Sequence, residues 1–573
     1  EIAGLPGHAM LAIPVGTDWN LRATLDPEGA WTAGISGRPR ASSQRFQVTA
    51  GSATLEGGGL QVTVTAKGGP NQGHADWILS FSGVKARAAD VRLDCPAARA
   101  EGRTAFQQSE KGLAVEGTAR VEMPGTRIRS HTLEAELPRL FLSGTVRQNG
   151  TAAPAFSGIL QFSEADLRLS GGGTRLKHAA GRLPLHWPVG GPGKEGVFSI
   201  AAIDAGGVSM GSLKGAFRQE DFGAVFSAVH KNRPVPGMNL FLSGKMGRDN
   251  HGQPFFRTEF RVPGVDLPEG FDLGVLAAGA RNTVLSGRLS AGGRINGGVS
   301  GIHGSAEVVF KDGVFEMAAR RLRIEGIDTT LSFPALPFLR SGPGQQLHFH
   351  RAAMGDIVID GGRIDYQVES AGSLLVEKSS FAWCGGNMDT QSLRISPGVD
   401  VYHLTLYCDR LKLARLLDQL GAADADGQGA VNGRIPLEYD NGEIRFRDGF
   451  LYSTPGDGGR IKLSGTEAFT AGLPADTPQF AQLDLAREAL KDYEYKWARL
   501  GLVSDEGTLL VQLQFDGKPV GPLPFVYKKE LGGFARVDAR SQGSLFQGIR
   551  LDVNLRLPLN RILQYKDISG MLE

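Results

Sequence analysis

Apolar and polar residues alternate with a period of two along most of this chain. Ile364, Tyr366 and Val368 oppose Arg363, Asp365, Gln367 and Glu369 without exception, and Leu404, Leu406 and Cys408 oppose His403, Thr405 and Tyr407. Leu509, Val511, Leu513 and Phe515 alternate with Leu510, Gln512 and Gln514. Ile549, Leu551, Val553, Leu555 and Leu557 alternate with Arg550, Asp552, Asn554 and Arg556. Successive strand side chains point to opposite faces, so each run predicts a strand with one apolar and one wet face. From Gly427 to Gly465 the rhythm is broken by Asp440-Asn441-Gly442, Arg447-Asp448-Gly449 and Asp457-Gly458-Gly459. Their glycines supply the positive φ of tight turns. The stretch therefore predicts an antiparallel meander with Ile444, Phe446, Ile461 and Leu463 on its apolar face. Lys311-Asp312-Gly313 and Asp360-Gly361-Gly362 read as hairpin connections, and Asp516-Gly517 as a turn.

The first half follows the same plan with a weaker rhythm. Leu60, Val62 and Val64 alternate with Gln61, Thr63 and Thr65, and Val91, Leu93 and Cys95 with Arg92 and Asp94. Phe141-Leu142-Ser143-Gly144, Leu167-Arg168-Leu169-Ser170-Gly171 and Phe241-Leu242-Ser243-Gly244 share an apolar-then-Ser-Gly character, a faint internal similarity. A Pro/Gly-rich segment from Leu183 to Gly196 predicts a loop or joint. Two helices interrupt the strands. Leu413, Leu416, Leu417 and Leu420 fall at helical spacing, with Asp409 as N-cap and Gly421 as stop. Thr477-Pro478 opens the second, whose stripe reads Leu483, Ala486, Leu490, Tyr493 and Trp497. One apolar stripe each lays both helices on the sheet.

Composition adds three constraints. The 80 glycines among 573 residues are about twice the ~7% of an average protein. Spread among short alternating runs, they imply many turns. The 62 basic and 60 acidic residues leave a net charge of +2, so nucleic acid is not an expected partner. No run of roughly 18 apolar residues spans a membrane. The chain opens on Glu1 without a signal-peptide core, which points to a processed or excised piece that lacks an N-terminal anchor. Cys95, Cys384 and Cys408 are too few for a disulfide scaffold and read as buried thiols on strands, a Cys384–Cys408 bridge being the alternative.

Chemical motifs fail one by one. Gly207-Val208-Ser209-Met210-Gly211 has the spacing of a nucleophile elbow, but Ser-Leu-Lys-Gly-Ala-Phe follows it without a helical period, leaving a turn serine. Asp424-Ala425-Asp426-Gly427 starts like a calcium loop, yet Gly433 stands where the bidentate Glu is needed, so a polar loop is the better account. His348 and His350 share a face with no third ligand at a recognisable spacing, and Gly193-Lys194 lacks the glycine and hydroxyl of a phosphate loop. Arg320, Arg321 and Arg323 read as a solvated face, with an anionic headgroup contact as the alternative. No catalytic residue, metal or cofactor is expected.

The segment Gly-Gln-Gly-Ala-Val-Asn-Gly-Arg-Ile-Pro-Leu-Glu-Tyr from Gly427 comes first. The Arg-Asp-Gly-Phe-Leu-Tyr-Ser-Thr-Pro-Gly-Asp-Gly-Gly-Arg-Ile run, the second helix and the strand Gly548–Leu563 follow in one order. That order resembles the C-terminal part of the YdbH branch of the AsmA-like proteins of Gram-negative envelopes, over about Gly287 to Leu563. The resemblance implies a bridge-like carrier in the periplasm, in which a curled sheet shelters phospholipid on its way between inner and outer membranes. It also implies an inner-membrane anchor missing here, and a small outer-membrane lipoprotein adding a strand at the C-terminal edge. A dicarboxylate-transport role attached to some members needs a membrane span and is set aside.

These readings give a mainly β chain, a long twisted antiparallel sheet curled into an open apolar groove with a few short amphipathic helices. The regions are 1–280, a β-rich groove region, 281–475, a β-meander that the resemblance makes AsmA-like, and 476–573, a helix with the long C-terminal strands. Candidate groove-lining residues are Ile364, Tyr366, Val368, Leu404, Leu406, Ile444, Phe446, Ile461, Leu463, Val511, Leu513, Phe515, Ile549, Leu551, Val553 and Leu555. An adhesive β-solenoid or passenger stalk and a β-rich hydrolase are the alternatives. Energy separates groove from stalk: a packed sandwich fills about 10 Å between layers with large side chains. An open groove leaves apolar surface that something apolar must occupy. Small-angle scattering tests the architecture. About 25–40 strands at ~4.8 Å spacing extend over roughly 120–190 Å, whereas a radius of gyration near ~25 Å means a compact globule.

Overall fold

The structure, a computed structural model, describes residues 17–558 apart from short breaks, the longest at 26–30, 40–44, 276–280 and 465–473. Among the described residues the chain is mainly β, its strand pairings are antiparallel, and two α-helices and one 3-10 turn interrupt them. The tail Asn560–Glu573, Arg320 and the Ser170-Gly171 pair lie outside the described residues. Two compact units form, Glu1–Pro263 with Gly292–His303, and Gly264–Ala291 with Gly304–Glu573.

In the first unit the strands are long, up to 19 residues in Val91–Ser109. Each pairs mainly with its neighbours in sequence: Ala53–Gly68 with Gln72–Ala88, that with Val91–Ser109, and so on to Asn239–Arg248 beside Pro254–Asp272. Hairpin succession is what two-residue and slightly longer connections produce when every strand alternates. The Pro/Gly-rich joint is shorter than its sequence suggests, because the strand Thr174–Trp187 continues past Leu183 and the next begins at Glu195.

In the second unit several glycine signals mark bulges, not turns. The strand Gly301–Met317 runs straight through Lys311-Asp312-Gly313, where Asp312 has φ 51° and the register with Leu322–Leu336 slips between Phe310 and Gly313. Ile357–Ser370 likewise runs through Asp360-Gly361-Gly362, with Gly361 at φ 74° and a slip between Asp360 and Gly362. Both positions need the left-handed backbone, but a bulge needs it as much as a hairpin does. Asp516-Gly517 does not turn the chain either. Gly517 lies inside Thr508–Pro519, and a Cβ there would collide with the Glu494 carbonyl.

The Gly427–Gly465 stretch is corrected in the same way. Asp440 faces Glu443 across one hairpin. The later breaks only interrupt a single course of chain: Glu443–Phe446 and Gly449–Tyr452 both pair with Ala430–Asp440, and Gly459–Ser464 pairs with Asp424–Gln428. Asp424–Gln428 is thus a short strand, where a polar loop was expected.

The first helix, α1 (Leu413–Gln419), begins at Lys412 without a side-chain cap. Asp409 does not cap it, because the strand Val401–Lys412 keeps its pairing through Leu411 and Lys412. Gly421 ends it as expected, at φ 67°, with its N–H on the Asp418 carbonyl and that of Ala422 on Leu417. The second helix, α2 (Pro478–Leu490), is capped by the Thr477 hydroxyl, which accepts from the Phe480 N–H. It stops at Leu490. Tyr493 and Trp497 belong to the strand Tyr493–Asp505, in which a bulge between Tyr495 and Trp497 moves the buried positions from 493 and 495 to 498, 500 and 502. Cys95, Cys384 and Cys408 are free and buried, Cys384 lying in the turn between Ser373–Trp383 and Gly386–Thr390. Burial pushes the Cys384 and Cys408 thiols up to about 12.

Candidate functional site

Directly opposed residues of an antiparallel pair share a face. In the first unit this rule assembles two rows that each cross seven strands. One reads Val64, Trp77, Gly102, Ala119, Gly144, Gly158 and Leu185. The other reads Phe162, Gly181, Phe198, Gly215, Ala228, Leu242 and Phe260. No charged residue stands in either. The opposite face carries Thr65, Asp76, Arg103, Thr118 and Thr145, then Glu116 and Arg147. Its charges neutralise one another: Arg103 Nε lies 2.6 Å from Asp76, and Arg147 Nε 2.8 Å from Glu116. The Arg103 hydrogen bond holds the Asp76 carboxyl below its ordinary value.

The apolar rows are not sealed. Val62, Val64, Trp77 and Leu79 are half-buried, as are Phe162, Phe198, Leu242 and Phe260. Ala228 is buried and Phe162 packs beside a small buried cluster of Leu140, Ala165 and Ala179, while outward neighbours such as Gln61, Thr63, Asp76 and Glu259 are exposed. A face covered by a second layer would be close to fully buried, as sandwich cores are. Sequence reasoning read residues 1–280 as a β-rich groove region from runs such as Leu60, Val62 and Val64 but chose no lining residue there, for the small residues hide most of the alternation. The available signal was a ring opposite a glycine. A Cβ at Gly181 would stand 2.6 Å from Phe162 Cε1, one at Gly73 2.5 Å from Phe106 Cζ, and one at Gly215 2.5 Å from Phe198 Cζ. The Phe-Leu-Ser-Gly similarity has the same meaning, since Gly144 lies under Phe156 and Gly244 under Phe226. Many glycines thus serve strand interiors, beyond the turns that composition suggested.

The second unit grades from open to closed. Ile364, Val368, Leu404, Leu406, Ile444 and Phe446 are half-buried. Tyr366 is buried, its hydroxyl 2.9 Å from that of Thr329. Ile461, Leu463, Val511, Leu513, Phe515, Leu551, Val553 and Leu555 are buried in one cluster, with Ile549 packed against it. What covers them is the chain itself: Leu413, Leu416 and Leu417 of α1, Ala489 and Leu490 of α2, and Leu523 and Phe525. An ionic clasp fixes α2 to the hairpin formed by Phe525–Lys528 and Gly533–Arg536. Arg536 holds Asp484 with two hydrogen bonds of 2.8 and 3.1 Å and reaches Glu488 at 2.9 Å. Burial pushes the Glu488 carboxyl up, but hydrogen bonds from Lys491 and Arg536 outweigh it and hold it below its ordinary value.

The two kinds of face respond differently to a charge. Val511 is 0% exposed, so Val511→Asp strands a carboxylate in a dry core at a cost of several kcal/mol. It should abolish the melting transition of the surrounding strands, and Val553→Asp should act similarly. Val64→Asp leaves its carboxylate within reach of water and should cost about 1 kcal/mol or less, with the circular-dichroism signal retained. Equal collapse of Val64→Asp would mean that the first unit's face is sealed in solution.

Among the described residues no helix is long and apolar enough to cross a membrane, and no three His, Cys, Asp or Glu side chains converge as metal ligands. No curated protein matches the chain. A family model, that of the YdbH-like intermembrane phospholipid transport protein YdbH, matches residues 14–521. That span takes in both the half-buried rows of the first unit and the glycine-punctuated strands around Gly427. Family and sheet agree, and the chain belongs to the YdbH-like family of intermembrane phospholipid transport proteins.

Proposed function

We propose that this chain carries phospholipid between the inner and outer membranes by sheltering acyl chains against its half-buried apolar faces. The observation that carries the reading is the unsealed pair of rows in the first unit, uncharged across seven strands each. Soluble surfaces rarely leave so continuous an apolar face in water, so an apolar occupant is the economical account. Acyl chains suit it because they need no directional contact, while headgroups stay with the solvent. The protein acts as a carrier in the periplasm and performs no chemistry on its cargo. In the closed part of the second unit, α1 and α2 occupy the place that acyl chains take elsewhere. Mass spectrometry of lipid released from the purified chain should find phospholipid in at least near-stoichiometric amount. A chain that purifies without phospholipid contradicts the proposal and favours a structural stalk.

The partner reading concerns the last described strand. Ile549–Pro558 pairs along its length with Thr508–Pro519, and among the described residues no strand pairs with its other side. Apart from the Ile549 carbonyl, which accepts from the Tyr493 hydroxyl, the N–H and C=O groups of its outer side are a template for strand addition. A small outer-membrane lipoprotein adding a strand there would extend the sheet towards the far membrane, while an N-terminal anchor holds the inner one. Photo-crosslinkers at Arg550, Asp552, Asn554 and Arg556 in cells should give adducts with a small envelope protein. Crosslinks confined to the chain's own tail would refute strand addition.

A further inference from the structure

The rings on the first unit's apolar face share one arrangement. Trp77 lies against Gly102, Phe106 against Gly73, Phe156 against Gly144 and Gly158, Phe162 against Gly181, Phe198 against Gly215, and Phe226 against Gly244. In each case a Cβ on the glycine would fall between 2.5 and 2.9 Å from a ring atom, well inside the ordinary contact distance of about 3.4 Å or more. The ring therefore lies across the neighbouring strand's backbone instead of standing up from the sheet. A strand-interior glycine is unfavourable in itself and marks a place where something must approach closely. Stacking a ring on it recovers part of that loss. Stability alone would be served as well by a Val or Leu pair at these positions, which raises the face by upright side chains. Phe256 against Gly297 makes a seventh such pair on this face, and buried Phe310 on Gly313 and Phe349 on Gly362 repeat it in the second unit, so the flat solution is general while its density is greatest on the half-buried face.

We infer that these ring–glycine pairs set the clear height of the trough: they keep the floor apolar and low enough for acyl chains to lie over it. The inference rests on the carrier reading and names the residues that determine what the carrier can hold. Gly181 gives the cleanest test, because the three atoms nearest a Cβ there all belong to the Phe162 ring. Gly181→Phe places two rings where one fits, so one must rise into the trough. Exchanging the pair, Phe162→Gly with Gly181→Phe, restores one ring on one glycine from the opposite strand. Gly69, where a Cβ meets nothing within 4 Å, supplies the control Gly69→Ala.

The full chain and its variants are purified from cells, their melting transitions recorded and their bound phospholipid counted by mass spectrometry. Gly181→Phe should lose phospholipid several-fold while it keeps a melting transition. The exchanged pair should recover the load, and Gly69→Ala should match the parent. A folded Gly181→Phe with the parent's load overturns the inference, and so does an exchanged pair that folds but stays empty. If Gly181→Phe does not fold, Gly181→Ala decides: a folded protein with reduced load supports the inference, and an unchanged load overturns it. A parent chain without phospholipid refutes the carrier reading itself, which is a different result from a loaded parent with an indifferent Gly181.

Discussion

The first unit is governed by a sheet face that its own chain leaves largely half-buried. An antiparallel ladder satisfies the backbone of each strand through its neighbours, so the sheet needs no partner for its hydrogen bonds. Its side chains do need one. In the first unit the polar face is settled by paired charges such as Arg103–Asp76, whereas the apolar face is settled only within itself, ring on glycine and methyl beside methyl. On the proposed carrier reading, such a face is the place where an apolar guest would lie.

The closed part of the second unit shows the alternative solution on similar strands. Here Leu509, Val511, Leu513 and Phe515 share one buried cluster with Ala489 and Leu490 of α2 and the leucines of α1. The Asp484–Arg536 pair, buried at the carboxylate end, draws α2 towards the hairpin. A buried ion pair is weak evidence for stability but good evidence for a fixed position, because its partners tolerate one geometry. The same strand chemistry thus yields an open floor or a packed core, and the covering helices decide which.

Much of this was legible from the residues. Period-two alternation located the long strands, and Thr477-Pro478 and Gly421 marked helix ends correctly, because each is a local device acting on its own backbone. What failed depended on distant chain. Asp312-Gly313 and Gly361-Gly362 meet the backbone demand of a bulge and of a hairpin equally, and only the partner strand decides. Tyr493 and Trp497 continue a helical stripe by spacing, but the pairing of Tyr493–Asp505 with Thr508–Pro519 outweighs it. The groove-lining residues were chosen where alternation was cleanest. Perfect alternation of large residues at 509–515 and 549–557 accompanies a sealed core, while the open face of the first unit is written in Gly, Ala and scattered rings. Bulk advertises burial, and an open floor reads as a weak pattern.

Successive pairing in the first unit also bears on how the chain reaches its fold. Most strands there join the one just before them in sequence, so each ladder closes a short loop and little entropy is lost before hydrogen bonds return it. A register can propagate hairpin by hairpin, each strand templated by its predecessor. The first unit can therefore acquire its structure progressively, each hairpin setting the register for the next strand.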